Sequence, residues 1–177
     1  RTLTANKNLD ILELKNERSE TTRMSYESRG LLKVLTDERN HSSSVEFDAN
    51  GFPRSATNPI GDRWEYHYDD RGNLGEVLSP RGGIVRANYL AGRNLVTNIV
   101  DEAGRISAWH YGSDFLLQTN RLPNGQVVAF EYVRGRVARI SGKAQTTVSL
   151  THNEIGLPEA VAHGISPPLS FQYDLHG

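Results

Sequence analysis

An aromatic residue recurs along this chain every 20 to 22 residues, and this spacing constrains the fold more than any other feature of the sequence. In the clearest example, Tyr68 is followed by three polar residues and then by Gly72. In chain order these anchor residues are Tyr26, Phe47, Tyr68, Tyr89, Tyr111, Tyr132, His152 and Tyr173. A repeat of this length indicates a tandem array of one small supersecondary unit.

The residues before each anchor alternate between apolar and polar side chains. Ahead of Tyr68, Trp64 and Tyr66 occupy one set of positions, whereas Glu65 and His67 occupy the other. Alternation with period two, carried by aromatic and β-branched residues, predicts a strand with one half-buried face. The same alternation precedes most other anchors, so we expect one well-patterned strand in each repeat.

Turn-forming residues follow each anchor and recur about 11 residues later. A glycine takes the turn position after seven anchors, where its tolerance of positive φ suits a tight hairpin turn. These turn glycines are Gly30, Gly51, Gly72, Gly92, Gly135, Gly156 and Gly177. A second, less regular strand lies between this turn and the next turn signal. Each repeat is therefore interpreted as strand, turn, strand, turn, which leaves no room for a helix.

The repeat predicts an all-β fold of about eight hairpin units of 21 residues each. Residues 22–177 are the tandem repeats, and residues 1–21 are a partial or degenerate one because Ala5 takes the anchor position there. One unit cannot bury its own apolar face, so neighbouring units must form a continuous antiparallel sheet. A long sheet of this kind twists, and we expect it to coil.

The repeat length departs from 21 residues in two places. An interval of 22 residues separates Tyr89 from Tyr111, and one of 20 residues separates Tyr132 from His152. A change of one residue fits within a turn or a β-bulge without disturbing the rest of a hairpin. We therefore expect altered turns or bulges in these two units.

Composition excludes several functional classes. The chain has 20 basic and 21 acidic residues, so nothing indicates general affinity for nucleic acid. No apolar run approaches the ~20 residues of a spanning helix, so we predict no membrane insertion by this segment. Cysteine is absent, which excludes disulfides and thiolate sites. Because the sequence starts at Arg1 and stops just after a turn signal, we expect a segment of a longer protein, with any targeting signal outside it.

Residues of the types that carry out chemistry are explained by their place in the repeat. His67 and His110 occupy equivalent polar positions two units apart, without the spacing of metal ligands. Asp69 and Asp70 follow an anchor, where aspartate bonds the local backbone of a turn. The glycines in residues 135–142 are separated by six residues, whereas a phosphate loop needs four. We predict no catalytic residue, no metal site and no cofactor.

The segments Tyr68-Asp-Asp-Arg-Gly-Asn-Leu74, Phe47-Asp-Ala-Asn-Gly51 and Tyr173-Asp-Leu-His-Gly177 resemble the YD repeat of the Rhs and YD-repeat proteins. That family includes bacterial polymorphic toxins, the BC component of insecticidal toxin complexes, and the teneurin cell-surface proteins. The resemblance implies a hollow β-shell that encloses a polypeptide. Bacterial members typically end the shell with an autoproteolytic Asp-Pro-x-Gly motif. The nearest string here, Asn58-Pro-Ile-Gly61, has Asn in place of Asp and lies at an ordinary turn, so we expect no cleavage there.

Three functional interpretations are open. The favoured one is a non-enzymatic wall segment of a secreted or extracellular shell, whose partners are adjacent repeats and an enclosed polypeptide such as a toxin. The second is a teneurin-like extracellular module that binds a receptor or glycan. The third, an unrelated carbohydrate-binding or carbohydrate-active protein, requires an asymmetric aromatic cluster, whereas Trp64 and Trp109 occupy the same repeat position.

Two surface features accompany these interpretations. The 20 basic residues, most of them arginines, are interleaved with 21 acidic ones, which favours salt bridges across the sheet over a glycan-binding or acidic-protein-binding surface. Asn40-His41-Ser42 is the only glycosylation sequon in the sequence and falls in a predicted surface turn.

Overall fold

The computed structural model describes residues 1–142 and 147–173, and within them the chain forms strands and turns but no helix. It follows that none of these residues forms a helix able to cross a membrane. The strands are β1 (Thr2–Ala5), β2 (Ile11–Lys15), β3 (Thr21–Tyr26), β4 (Leu32–Thr36), β5 (Ser42–Phe47), β6 (Pro53–Thr57), β7 (Arg63–Tyr68), β8 (Leu74–Leu78), β9 (Ile84–Tyr89), β10 (Val96–Val100), β11 (Ile106–Tyr111), β12 (Leu117–Arg121), β13 (Val127–Val133), β14 (Arg136–Ser141), β15 (Thr147–His152), β16 (Pro158–His163) and β17 (Leu169–Ser170). The predicted all-β class is confirmed.

The chain divides into two compact units, Arg1–Arg86 and Ala87–Gly177, and the boundary lies inside β9. In the first unit each strand pairs antiparallel with the next, up to residues 84–86 of β9 beside β8. In the second unit the same rule holds from β10 to β17. This arrangement confirms the prediction of tandem antiparallel hairpins.

One turn geometry joins the strands at both ends. In the turn from Asp69 to Asn73, the Asp69 N–H donates to the Asn73 carbonyl and the Gly72 N–H donates back to the Asp69 carbonyl, both at 2.9 Å. The fourth residue has positive φ, +79° at Gly72, as in a three-residue hairpin loop. The same pair of bonds recurs in turns that begin at Asn6, Asn16, Glu27, Asp37, Asp48, Asn58, Ser79, Asp101, Gly112, Leu122 and Asn153. The turns after the second strands therefore copy those after the anchors, which the sequence pattern did not reveal.

Two of the turns that follow anchors depart from this geometry, and they lie in the two units of irregular length. After Tyr89, the Leu90 N–H donates to the carbonyl of Leu95, so that turn has one residue more. After Tyr132, Val133 pairs directly with Arg136. The two residues between them have φ values of 52° and 76°, as in a two-residue type I′ turn. The expectation of altered turns is confirmed.

A β-bulge lies opposite the anchor position in the hairpins of both units. His67 pairs with Glu76, but Tyr68 pairs with Leu74, so Gly75 has no partner across the ladder. The same register shift falls at Ala5, Tyr26, Phe47, Tyr111, Tyr132 and His152. Each bulge adds local right-handed twist to the strand that carries it. The shift recurs at seven anchor positions, including those of hairpins of regular length, where the alternation of side chains did not predict it.

No apolar side chain is fully buried among the described residues; the two buried side chains, Ser55 and Asn73, are polar. The accessible surface is 12803 Å², whereas a globular monomer of this mass exposes about 8,600 Å². Two separate globules of half the mass would expose about 10,400 Å² together. The sheet therefore keeps an apolar face that nothing within the described residues covers.

Residues 1–177 expressed alone are expected to be β-rich and to self-associate, because association removes the uncovered apolar face from water. Far-ultraviolet circular dichroism will report the strand content, and sedimentation velocity at several concentrations will report association. A helix-rich protein that stays monomeric at every concentration would contradict the repeat architecture.

Candidate functional site

The tyrosine anchors tie each hairpin to the preceding one through a hydroxyl hydrogen bond. The Tyr132 hydroxyl donates to the Leu117 carbonyl at 2.8 Å, and Tyr111 donates to Val96 at 3.0 Å. Tyr26 and Tyr173 make the same bond over the same 15-residue separation, to Ile11 and Pro158 at 3.0 and 2.6 Å.

In three of these four bonds the acceptor, Ile11, Leu117 or Pro158, lies next to a bulge. Leu117, which receives the Tyr132 hydroxyl, is the residue that pairs with the preceding anchor, Tyr111. A carbonyl beside a bulge has lost the regular ladder, and a half-buried carbonyl without a partner is costly. The tyrosine hydroxyl therefore donates a hydrogen bond to the carbonyl that the bulge of the previous hairpin removes from the ladder. We name this contact the anchor tie.

Two other anchors, His152 and Tyr68, have different surroundings. The His152 side chain makes no hydrogen bond in the part of the chain that the structure describes, and a groove of about 420 Å³ lies between it and the short turn. At Tyr68 the ring stacks on Phe52 with centroids 5.0 Å apart, and burial is the main cause that raises the pKa of Tyr68. Six of the seven predicted turn glycines have positive φ, whereas Gly177 lies outside the described residues.

Six of the regular turns are reinforced by a hydrogen bond between the side chains of their first and fifth residues. The Asp69 carboxylate accepts the N–H groups of Arg71 and Asn73 at 2.9 Å and the Asn73 amide at 2.9 Å. These bonds, first of all that of the Asn73 side chain, lower the pKa of Asp69. Corresponding pairs are Asn6–Asp10, Asn16–Glu20, Asp37–His41, Asn58–Asp62 and Asp101–Arg105. Because the partners differ from turn to turn, the turn requires complementary groups and not one fixed residue.

Successive turns on the anchor side touch through side chains about 20 residues apart. The Arg29 guanidinium donates to the carbonyls of Asp48 and Ala49 at 2.9 and 2.8 Å. A methyl group added at Gly72 would lie 2.7 Å from the Phe52 ring. In the second unit the Arg136 guanidinium lies against Gly156, and Arg93 lies 4.0 Å from the ring centre of Phe115. The sequence signal for these contacts is an arginine or aromatic residue one repeat before the turn.

The opposite face of the sheet carries ion pairs between neighbouring strands. Glu46 accepts hydrogen bonds from Arg54 at 3.0 Å, Arg63 at 3.1 Å and Ser55 at 3.1 Å. These bonds, led by that of Arg63, lower the pKa of Glu46 to about 2. Directly paired residues on this face also form the ion pairs Arg23–Glu13 and Arg86–Glu76. The predicted salt bridges across the sheet are confirmed.

The described ranges contain no group of three or more His, Asp or Glu side chains able to hold a metal ion. His67 and His110, which the repeat places at equivalent positions, fall in different compact units. What recurs is a set of structural devices: the turn, the bulge, the anchor tie and the contact between turns. Together they define a tandem β-hairpin wall.

The chain belongs to the teneurin YD-shell family, whose sequence model matches residues 2–153. The crystal structure of TcdB2-TccC3-Cdc42 is similar with a TM-score of 0.62 and 10% identity, covering 97% of this chain and 12% of that one. The crystal structure of TcdB2-TccC3 without its hypervariable C-terminal region is similar with a TM-score of 0.60 and 11% identity, and it also covers 97% of this chain and 12% of that one. A search of curated proteins found no match. At these identities the structural likeness shows the fold alone.

The family and fold together make this chain a segment of shell wall with a scaffold role. The chain spans about an eighth of the length of the solved proteins that it resembles. The activity and contents of the whole protein are therefore matters for proposal.

Replacing Tyr132 with Phe is expected to destabilise the hairpins around it by about 1 kcal/mol, the usual contribution of one hydrogen bond. Tyr66→Phe is the matched control, because the Tyr66 hydroxyl makes no hydrogen bond among the described residues. Hydrogen exchange of the β12 and β13 amides in the full-length protein measures the effect. Equal protection in both variants would mean that the anchor tie contributes nothing.

Gly72→Ala is expected to destabilise the protein more than Gly82→Ala. Both glycines have φ near +80°, so both variants share the same backbone strain. Only Gly72 faces a neighbour, the Phe52 ring, whereas a methyl group at Gly82 meets nothing within 4 Å. Crowding should add about 1 kcal/mol or more. Urea unfolding midpoints give the comparison, and equal losses would rule out a contact between successive turns.

The Glu46 ion pairs predict a stability loss at low pH. A carboxyl group whose folded pKa is about 2, against an ordinary value of 4.5, stabilises the protein fully above pH 4.5 and loses this effect as the pH falls toward 2. Glu46→Gln should therefore flatten the decline in urea midpoint between pH 5 and pH 2. Solvent screening keeps the effect small, because the side chain is 44% exposed. Glu102→Gln, in an exposed turn, is the control, and identical profiles for both variants would contradict the assignment.

Proposed function

We propose that this segment is part of a secreted or extracellular YD shell that encloses a polypeptide, such as a toxin module, belonging to the same full-length protein. The single observation that carries the proposal is the one-layer sheet with an uncovered apolar face. A single layer has two faces, and exposure of the apolar one to water would favour aggregation. An enclosed chain removes that exposure without a second layer of sheet.

The arrangement of the two faces supports the proposal. The face with the ion pairs satisfies its own charges, as Glu46 does with Arg54 and Arg63, and needs no further partner in water. The other face carries the rows Val45–Ala56–Trp64 and Tyr66–Val77–Val85, whose side chains are only half-buried. In this role the residues hold the sheet together and contact neighbouring chain segments but carry out no catalysis. The partners are the adjacent repeats and the enclosed chain.

Cysteine labelling in the full-length protein tests enclosure. The 177 residues contain no cysteine, so Val45→Cys and Ser44→Cys each place one new thiol on opposite faces of β5. In a closed shell both thiols react after unfolding in urea, but only one reacts in the native protein with a maleimide on a long polyethylene glycol chain. Equal labelling of both in the native protein contradicts enclosure.

The contents of the shell require a second measurement. A photo-crosslinking amino acid at the protected position should link to a segment of the same protein outside residues 1–177, identified by mass spectrometry. Crosslinks only to neighbouring repeats would contradict an enclosed polypeptide while leaving the wall itself intact.

A teneurin-like role, in which the outer surface binds a receptor or glycan, is the second candidate. It is favoured by a groove of about 670 Å³ between the turns at Asp48 and Asp69, lined by the stacked rings of Phe52 and Tyr68. An exposed aromatic ring beside carboxylate and amide groups suits a polar partner with an apolar face. Loss of cell or glycan binding in Phe52→Ala, but not in Phe115→Ala, would favour this role over enclosure alone.

A further inference from the structure

The turn from Asp37 to His41 carries the start of the sequon Asn40-His41-Ser42 within an exposed stretch. Asn40 occupies the fourth position of the turn with φ of 62°, and its N–H donates to the Asp37 carbonyl at 3.1 Å. Asparagine tolerates this left-handed conformation better than most residues. The turn therefore holds the backbone of Asn40 through its N–H and its left-handed conformation, which fixes the direction of its side chain.

The side-chain amide of Asn40, in contrast, is unused. It makes no hydrogen bond within residues 1–142 and 147–173, and residues 38–42 form an unbroken exposed run. Asparagines at the first position of other turns behave differently. The amide nitrogens of Asn6, Asn16 and Asn58 donate to the carboxylate at the fifth turn position at 2.9, 2.6 and 3.0 Å. Asn40 thus has an amide that is both free and accessible.

The space around Asn40 suits a bulky group. Equivalent turns of neighbouring repeats lie two strands away, at roughly 10 Å. The third sequon residue, Ser42, lies at the start of β5, where its hydroxyl is 2.8 Å from that of Thr36. This bond stays within the sheet and leaves the turn clear. A glycan on Asn40 would extend outward without displacing any contact of the fold.

We propose that Asn40 is an acceptor of an N-linked glycan when the chain passes through a eukaryotic secretory pathway. The co-reactant is a lipid-linked diphosphate oligosaccharide. A bond forms between Asn40 Nδ2 and C1 of the first sugar, the bond from that carbon to the phosphate oxygen breaks, and the lipid diphosphate leaves with the electron pair. The amide proton released from Nδ2 balances the charge.

The test uses the full-length protein behind a signal peptide, expressed in animal cells. The proteolytic peptide containing Asn40 should carry a glycan mass that peptide N-glycosidase removes in heavy-oxygen water, leaving a labelled aspartate. Ser42→Ala should abolish this mass shift, and Ser42→Thr should retain it. Both variants keep Asn40 and its turn, so a difference between them identifies the sequon and not a folding defect.

An unmodified Asn40 peptide in the secreted wild-type protein overturns the inference, as does a glycan that persists in Ser42→Ala. Because the signal peptide forces secretion, the result does not depend on the natural destination of the protein. Failure here would leave the shell proposal intact, since labelling at Val45 and Ser44 tests enclosure independently.

Discussion

The anchor tie is the interaction on which the rest of this sheet depends. A bulge in each hairpin adds twist, but it also removes a carbonyl from the regular ladder beside the anchor. The tyrosine of the following hairpin returns a donor to that carbonyl, as Tyr132 does for Leu117. Twist and hydrogen bonding are thus satisfied together, and at these ties one repeat is completed by the next one. The stability of such a chain is spread over many equal contacts instead of residing in a core.

Much of this fold follows from the sequence. The alternation around Tyr68 and the glycines at positive φ predict the strands and turns, since side-chain direction and steric freedom are local properties. The altered turns in the two units of irregular length were also predictable, because a hairpin can accommodate one residue added or lost only in a turn or a bulge. The family resemblance rested on the same local pattern.

The bulges were not predictable from alternation, and the second strands show why. In β12, Gln118 and Thr119 follow one another on the polar face, so the pattern changes phase in the middle of the strand. Such a strand looks irregular in sequence, although its bulge recurs at the same position in other hairpins. The paired side chains of the turns could not be predicted from the sequence for a different reason. Asn58–Asp62 and Asp101–Arg105 fill the same role with different chemistry, so no single residue type recurs.

The short reach of these contacts has a consequence for how the protein is made. An anchor tie spans 15 residues and a contact between turns about 20, so a hairpin finds its partners within one repeat of itself. Chains with such local contacts fold quickly, and they need not wait for distant sequence to be synthesised. Each hairpin that leaves the ribosome can pack on the one before it, so the sheet can assemble in the order of translation.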